Sequence, residues 1–158
     1  MSTTANGSYE YLKNTVLTAP PEQLHMMLLD GAIRFTLRGI DSLSHKDIEG
    51  AFNAFERAQR IVIQMSDGLR REVNPALVDQ MAALYHFIYR RLVDANMLRD
   101  CKPAEEALQI LRHQRETWQL VIQKLAEASG PPAVTAPAPA AASAATPGAA
   151  QPGLSIQV

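Results

Sequence analysis

Between Pro21 and Ala128, apolar residues recur at helical spacing in four stretches of similar length, roughly 21–43, 47–69, 75–98 and 103–128. At ~1.5 Å per residue each stretch spans ~35 Å, a length that suits an all-α, antiparallel up-down four-helix bundle. The start signals agree with this division. Asn74-Pro75 is a capping residue followed by proline at the first helical position, and Pro103 marks the last helix in the same way. Ser44 with Asp47, or Asp47 alone, can cap the second helix. Short connections favour antiparallel neighbours.

The stripes are unequal. The second helix carries Ala51, Phe55, Ala58, Val62, Met65 and Leu69 on one face, and the fourth carries Leu108, Leu111, Trp118, Ile122 and Leu125. Each is a single core stripe with some flanking apolar residues, as a bundle needs. The first helix has two apolar faces. Leu24, Leu28, Gly31 and Phe35 fall on one, and Met26, Leu29, Ile33, Leu37 and Ile40 on the other, with Asp30, Arg34, Arg38 and Asp41 as the polar strip between them. On the third helix, Leu77, Met81, Leu84, Ile88, Leu92 and Ala95 form the core stripe. Val78, Ala82, Tyr85, Tyr89 and Val93 widen the apolar arc beside it. Apolar surface in excess of a core marks an interaction site, unless the N-terminal arm (Tyr9, Tyr11, Leu12, Val16, Leu17) or a second copy of the chain covers it. An arm that acts as a displaceable lid reconciles the two.

Charge sets the domain boundary. Every Asp, Glu, Lys and Arg lies within 1–128, whereas the 30 residues from Ser129 to Val158 include 10 Ala and 6 Pro. Such a segment buries too little apolar surface to offset its ordering entropy, so 129–158 is expected to be a disordered Ala/Pro-rich tail. Its last residues, Leu154 to Val158, alternate apolar and polar and could add to a partner as a strand, although an unstructured end is the simpler expectation. The expected organisation is an arm over 1–18, a bundle over 19–128 and this tail.

The charge balance, 15 Lys+Arg against 16 Asp+Glu, lacks the basic excess of a nucleic-acid binder. With one cysteine, Cys101, there is neither a disulfide framework nor a multi-cysteine zinc site. The opening residues lack the pattern of a secretory signal, and no apolar run is long enough to insert in a membrane, so the expected location is cytoplasmic.

Catalytic signals are thin. Glu22 and His25 have the Glu-x-x-His spacing of a di-iron bundle, but His45, His86 and His113 lack a carboxylate three residues before them. Neither a metal, a cofactor nor enzymatic activity is expected, and no Gly-rich phosphate loop or nucleophile elbow is present. Of the paired arginines, Arg91 faces nearer the core stripe than Arg90 does. A half-buried guanidinium needs a carboxylate, and Asp30 is the expected partner.

The segment NTVLTAPPEQLHMMLLDGAIRF, from Asn14 to Phe35, resembles the opening of the bacterial flagellar secretion chaperones. Tyr11, Val16, Thr18-Ala19, Pro21-Glu22 and the run Met27 to Ala32 match that family's positions, with Leu29 where a tyrosine is usual and Pro20 where a capping serine is usual. Arg57-Ala58-Gln59, the run LYHFIYRRLVDAN from Leu84 to Asn96, and Arg115-Glu116-Thr117-Trp118 continue the likeness.

The resemblance implies a cytoplasmic export chaperone. Its client is the disordered C-terminal segment of flagellin, which it keeps from polymerising prematurely and presents to the export gate of the flagellar type III apparatus. Other flagellar assembly factors are further partners by the same resemblance. From the surplus stripes, the expected groove wall is Leu29, Ile33, Leu37, Tyr85, Tyr89 and Val93. The resemblance adds Tyr11 and Val16 from the arm, then Met27, Asp30, Gly31, Ala58, Arg91 and Asn96. Gly31 also has a purely structural reading, as a point of close helix approach. The competing reading is a non-catalytic helical homodimer or adaptor, whose extra apolar faces form a permanent self-interface.

Overall fold

A computed structural model describes residues 3–130. Five helices occur among them: α1 (Thr3–Thr18), α2 (Pro21–Ser44), α3 (Ile48–Asp67), α4 (Pro75–Leu98) and α5 (Cys101–Ser129). The all-α architecture and the four bundle helices are as the pattern predicts, and the stretch expected as an arm is itself the helix α1. Met1–Leu120 make up one compact unit and Val121 opens a second. Apart from Ser129 and Gly130, the expected tail lies outside the described residues.

The helix starts follow from local chemistry. Asn74 Oδ1 accepts the Leu77 amide at 3.2 Å, with Pro75 in the first turn. Asp47 alone caps α3, accepting the Gly50 amide at 2.9 Å, while the Ser44 hydroxyl turns back to donate to the Ile40 carbonyl. The last helix starts two residues before the position that Pro103 suggests, because Asp100 accepts the Lys102 amide at 3.0 Å. Pro20 precedes α2 and offers no side-chain cap, so Pro21 alone marks that start.

On α3 the predicted stripe holds: Ala51, Phe55, Ala58, Val62 and Met65 are buried, with Ala54 beside them. The α2 helix departs from expectation in an informative way. Its most buried positions are Leu29, Gly31, Ala32, Thr36 and Gly39. Three of these, Ala32, Thr36 and Gly39, form a row of small residues between the two apolar faces. Along this row α3 approaches closely. A Cβ at Gly39 would overlap the Phe55 ring, with Cζ only 2.7 Å away, and one at Gly31 would come within 3.2 Å of Ile61 Cδ1. The one buried polar side chain noted in the core, Thr36, is satisfied by donating to the Ala32 carbonyl at 2.8 Å.

The second apolar face of α2 is largely occupied within the chain. The α5 helix runs antiparallel along α2 and meets it at three levels. Cys101 Sγ lies 3.8 Å from the Ile40 carbonyl, Arg115 pairs with Asp30, and Trp118 Nε1 donates to the Glu22 carbonyl at 2.9 Å. Ile33 and Ile40 accordingly pack partly buried against the core, and Leu37 is the residue of that face that stays exposed. On α4, Val78 and Tyr85 replace the expected Leu77, which is exposed, while Ile88, Leu92 and Ala95 are buried as predicted.

Helix propensity alone favours Ala over Gly by about 1 kcal/mol. Gly39→Ala is nevertheless expected to lower the unfolding free energy by about 1–3 kcal/mol, because the fully buried Phe55 ring has nowhere to move. Urea unfolding measures the difference, and a stabilised variant would show that the contact yields.

Candidate functional site

With α2 flanked by α3 and α5, one stretch of apolar surface left over lies along the seam of α3 and α4. At one end of this seam Val62, Ile63, Ser66 and Asp67 of α3 face Tyr85, His86 and Tyr89 of α4 around a cavity of about 260 Å3. Phe52 and Ile48 stand on the same side of α3 as Ile63, eleven and fifteen residues before it, spacings that return to one helix face. These three side chains are 54%, 39% and 43% exposed, respectively. On α4, Val93 and Asn96 follow Tyr89 at i+4 and i+7 and are half-buried. The result is an apolar groove with α3 and α4 as its two shoulders.

Of the expected groove residues, the structure brings Tyr89, Val93 and Asn96 to this seam. Leu29, Ala58 and Tyr85 have no exposed surface and Gly31 is buried, so these four are core residues rather than wall. Tyr85 reaches the cavity only from beneath. Ile33 and Leu37 belong to the side of α2 that carries α5, and Met27 is half-buried on α2. Ile48, Phe52, Ile63 and His86 were absent from the sequence-derived set. Their signal was the flanking apolar residues of α3, which the strength of that helix's core stripe obscures.

The expected pairing of Arg91 with Asp30 is not formed. Arg91 Nε donates to Glu106 at 2.7 Å and Nη1 to Asp94 at 3.1 Å, which ties α4 to the start of α5. Asp30 instead receives Arg115, and the two carboxylate-bound guanidiniums are held further in their charged form, by Glu106 and Asp30 respectively. Nor does the helix α1 cover an apolar stripe: its own Tyr9, Tyr11, Leu12, Val16 and Leu17 are all exposed.

Where α2, α4 and α5 meet, the His25 ring stacks at a tilt on Trp118 with centroids 4.6 Å apart, and its Nε2 lies 3.3 Å from the Tyr85 hydroxyl. Burial pushes the Tyr85 phenol up to about 12 and lowers His25 from its ordinary value. His25 thus serves as a packed junction. Among the described residues no three His, Cys, Asp or Glu side chains gather where they could hold a metal ion, and no helix is long and apolar enough to cross a membrane.

The family described as flagellar protein FliS matches residues 4–125. The chain belongs to this family. Similar relatives include the flagellar secretion chaperone FliS of Bacillus subtilis, 31% identical over 113 residues that cover 72% of this chain and 84% of the relative. The protein of the same name from Salmonella typhimurium is 29% identical over 126 residues, covering 77% and 93%. A crystal structure of a flagellar chaperone from bacteria superposes with a TM-score of 0.63 at 16% identity, over 77% of this chain and 98% of that one, and supports the same fold.

Within this FliS-family chain, the motifs that carry the likeness meet each other in space. Asp30 and Glu22 come from the opening block, Arg115 and Trp118 from the closing one, and their two contacts fasten α5 to α2. Much of the family signature therefore records how the bundle closes.

The junction has a pH consequence. Folded His25 titrates below its unfolded value of 6.5, so the unfolded chain binds the proton more readily. Its contribution to stability is complete above about pH 6.5 and declines as the pH falls toward the folded value. The urea midpoint of the wild type should fall more between pH 7.5 and 5 than that of His25→Gln; equal slopes would remove His25 from the balance.

Proposed function

We propose that this FliS-family chain is a cytoplasmic export chaperone that holds the C-terminal segment of flagellin in the α3/α4 groove. The observation that carries the reading is the apolar surface left on that seam after α2 has been closed in by α3 and α5, with Phe52 and Ile63 exposed on one shoulder and Tyr89 and Val93 on the other. An amphipathic helix fits such a groove by laying apolar anchors at i, i+3, i+4 and i+7 between the shoulders. The names of the relatives, flagellar secretion chaperones, support the same class of work.

In mechanism, the client segment arrives unfolded and gains helix as its apolar face leaves water. Coupled folding and binding of this kind typically buries ~1,000–3,000 Å2 and gives up ~2–5 kcal/mol to ordering. While docked, that apolar face is withheld from other flagellin copies, which prevents premature polymerisation. Asn96, at the groove's polar end, fixes the client's register by hydrogen bonding. Tyr11 and Val16 on the exposed face of α1 are assigned to partner contacts outside the groove, with the export gate of the type III apparatus as the recipient of the complex. Met27, Asp30 and Arg91 act through the bundle: Asp30 and Arg91 hold α5, and Met27 packs on α2 beside the paired Asp30. Release follows from handover, with no nucleotide required.

Calorimetric titration with a peptide covering the C-terminal segment of the cognate flagellin tests this reading. Saturable one-to-one binding, a negative heat-capacity change and a gain of helical circular dichroism are expected. Phe52→Asp should weaken binding by about tenfold or more while leaving the thermal midpoint of the free protein nearly unchanged, since Phe52 is exposed, and the half-buried Val93→Asp should weaken binding as much with some loss of stability. A dimer that neither binds the peptide nor a hydrophobic dye would assign the groove to a second copy of the chain instead.

A further inference from the structure

On the other side of α3, facing α2, the surface has a different character. A cleft of about 220 Å3 is lined by Phe35, Arg38 and Ser42 of α2 and by Asn53, Ala54 and Arg57 of α3, with the Asp47–Gly50 turn closing one end. Phe35 lies between two guanidiniums: Arg34 stands 5.4 Å from the ring centroid and Arg57 5.5 Å. None of Arg34, Arg38 and Arg57 forms an ion pair among the described residues, although Arg60, Arg71, Arg91 and Arg115 all do. The carboxylates nearby are committed elsewhere. Asp47 caps the α3 amide of Gly50, Asp41 lies beside His45, and Glu56 pairs with Arg60.

A guanidinium stacked on an aromatic face is held in orientation while the N–H edge stays free, and that edge matches a carboxylate in a two-pronged geometry. Two arginines line this cleft, the stacked Arg57 and the unpaired Arg38, beside a Ser hydroxyl and an Asn amide, and the one carboxylate in the lining, Asp47, is engaged as a helix cap. The whole chain carries a formal charge of -1, so an anion is drawn here by the local arrangement and not by the molecule's overall field.

We infer that the α2/α3 cleft around Phe35 is a docking site for an acidic segment of a partner protein, whose Asp or Glu side chains pair with Arg38 and Arg57. The site is separate from the α3/α4 groove, because Arg57 and Ile63 look out from different sides of α3, toward α2 and α4 respectively. A chain with both sites can hold an apolar client and an acidic partner at once.

Fluorescence anisotropy with a labelled hexaglutamate peptide, compared with hexaglutamine, tests the cleft on the full chain. Saturable binding of the acidic peptide alone is expected, weakening as salt is raised. Arg38→Glu and Arg57→Glu should each lower the affinity by at least about tenfold. Arg57→Lys, which keeps the charge but loses the planar fork, should give an intermediate loss. Arg112→Glu, an exposed residue of α5 outside the cleft lining, should leave binding unchanged. Thermal midpoints of the variants report that each is folded, and because both cleft arginines are exposed they should lie near the wild type. Equal loss with Arg112→Glu, no binding of hexaglutamate, or displacement by inorganic phosphate at matched ionic strength would each overturn the acidic-segment reading. The flagellin peptide should still bind Arg57→Glu, so the failure of either site is distinguishable from the failure of the other.

Discussion

The absence of a Cβ at Gly39 under the Phe55 ring is the contact on which the rest of the bundle is built. It lets α3 settle into the small-residue row of α2, with Ala32 and Thr36 continuing the seam. Once α3 occupies that row, the flanking face of α2 that bears Ile33 and Ile40 is open to α5, so α2 has a neighbour on each side. The polar clasps between α2 and α5 fix that second neighbour in register, one at each level of the helix. Each of these clasps is part-exposed and individually worth little in water. Their role is to select one antiparallel setting among the several that apolar packing alone would tolerate.

This enclosure decides where the free surface falls. A chain with two apolar faces on one helix suggests a groove on that helix, and the structure moves the groove to α3 and α4. Both arrangements come from the same residues. The difference lies in how many neighbours α2 has, which a helical wheel does not encode.

The legible part of the fold was the part written in local chemistry. Asn74 and Asp47 cap the helices that their positions announce, and the α3 stripe from Ala51 to Met65 is buried where its spacing places it. What could not be read was pairing over long sequence separations. A half-buried Arg91 calls for a carboxylate and Asp30 is the one its helix pattern offers, yet Arg115 is the residue that reaches Asp30, and Glu106 takes Arg91. Tyr85 had the look of an exposed aromatic flank and is instead the largest fully buried side chain, because its hydroxyl finds His25 at the three-helix junction. Tyr89 and Val93, which spacing marked, and Asn96, which the resemblance supplied, share one side of α4 at i, i+4 and i+7. On the sequence Arg34 and Arg38 belong to the polar strip of α2, and nothing there shows that α3 supplies Arg57 to the Phe35 ring from across the cleft.

Trp118 is the only tryptophan in the chain, and it sits against an imidazole at the junction of three helices. Its indole is therefore an emission probe that evolution has already installed. Light absorbed there reports directly on whether α5 is seated on α2, because loss of the Glu22 contact exposes the ring to water and separates it from His25. Since a protonated imidazole quenches a stacked indole, the same signal also follows the charge on His25. The opening and closing of the bundle can be watched in the untouched protein, without a label and in the presence of any tryptophan-free partner.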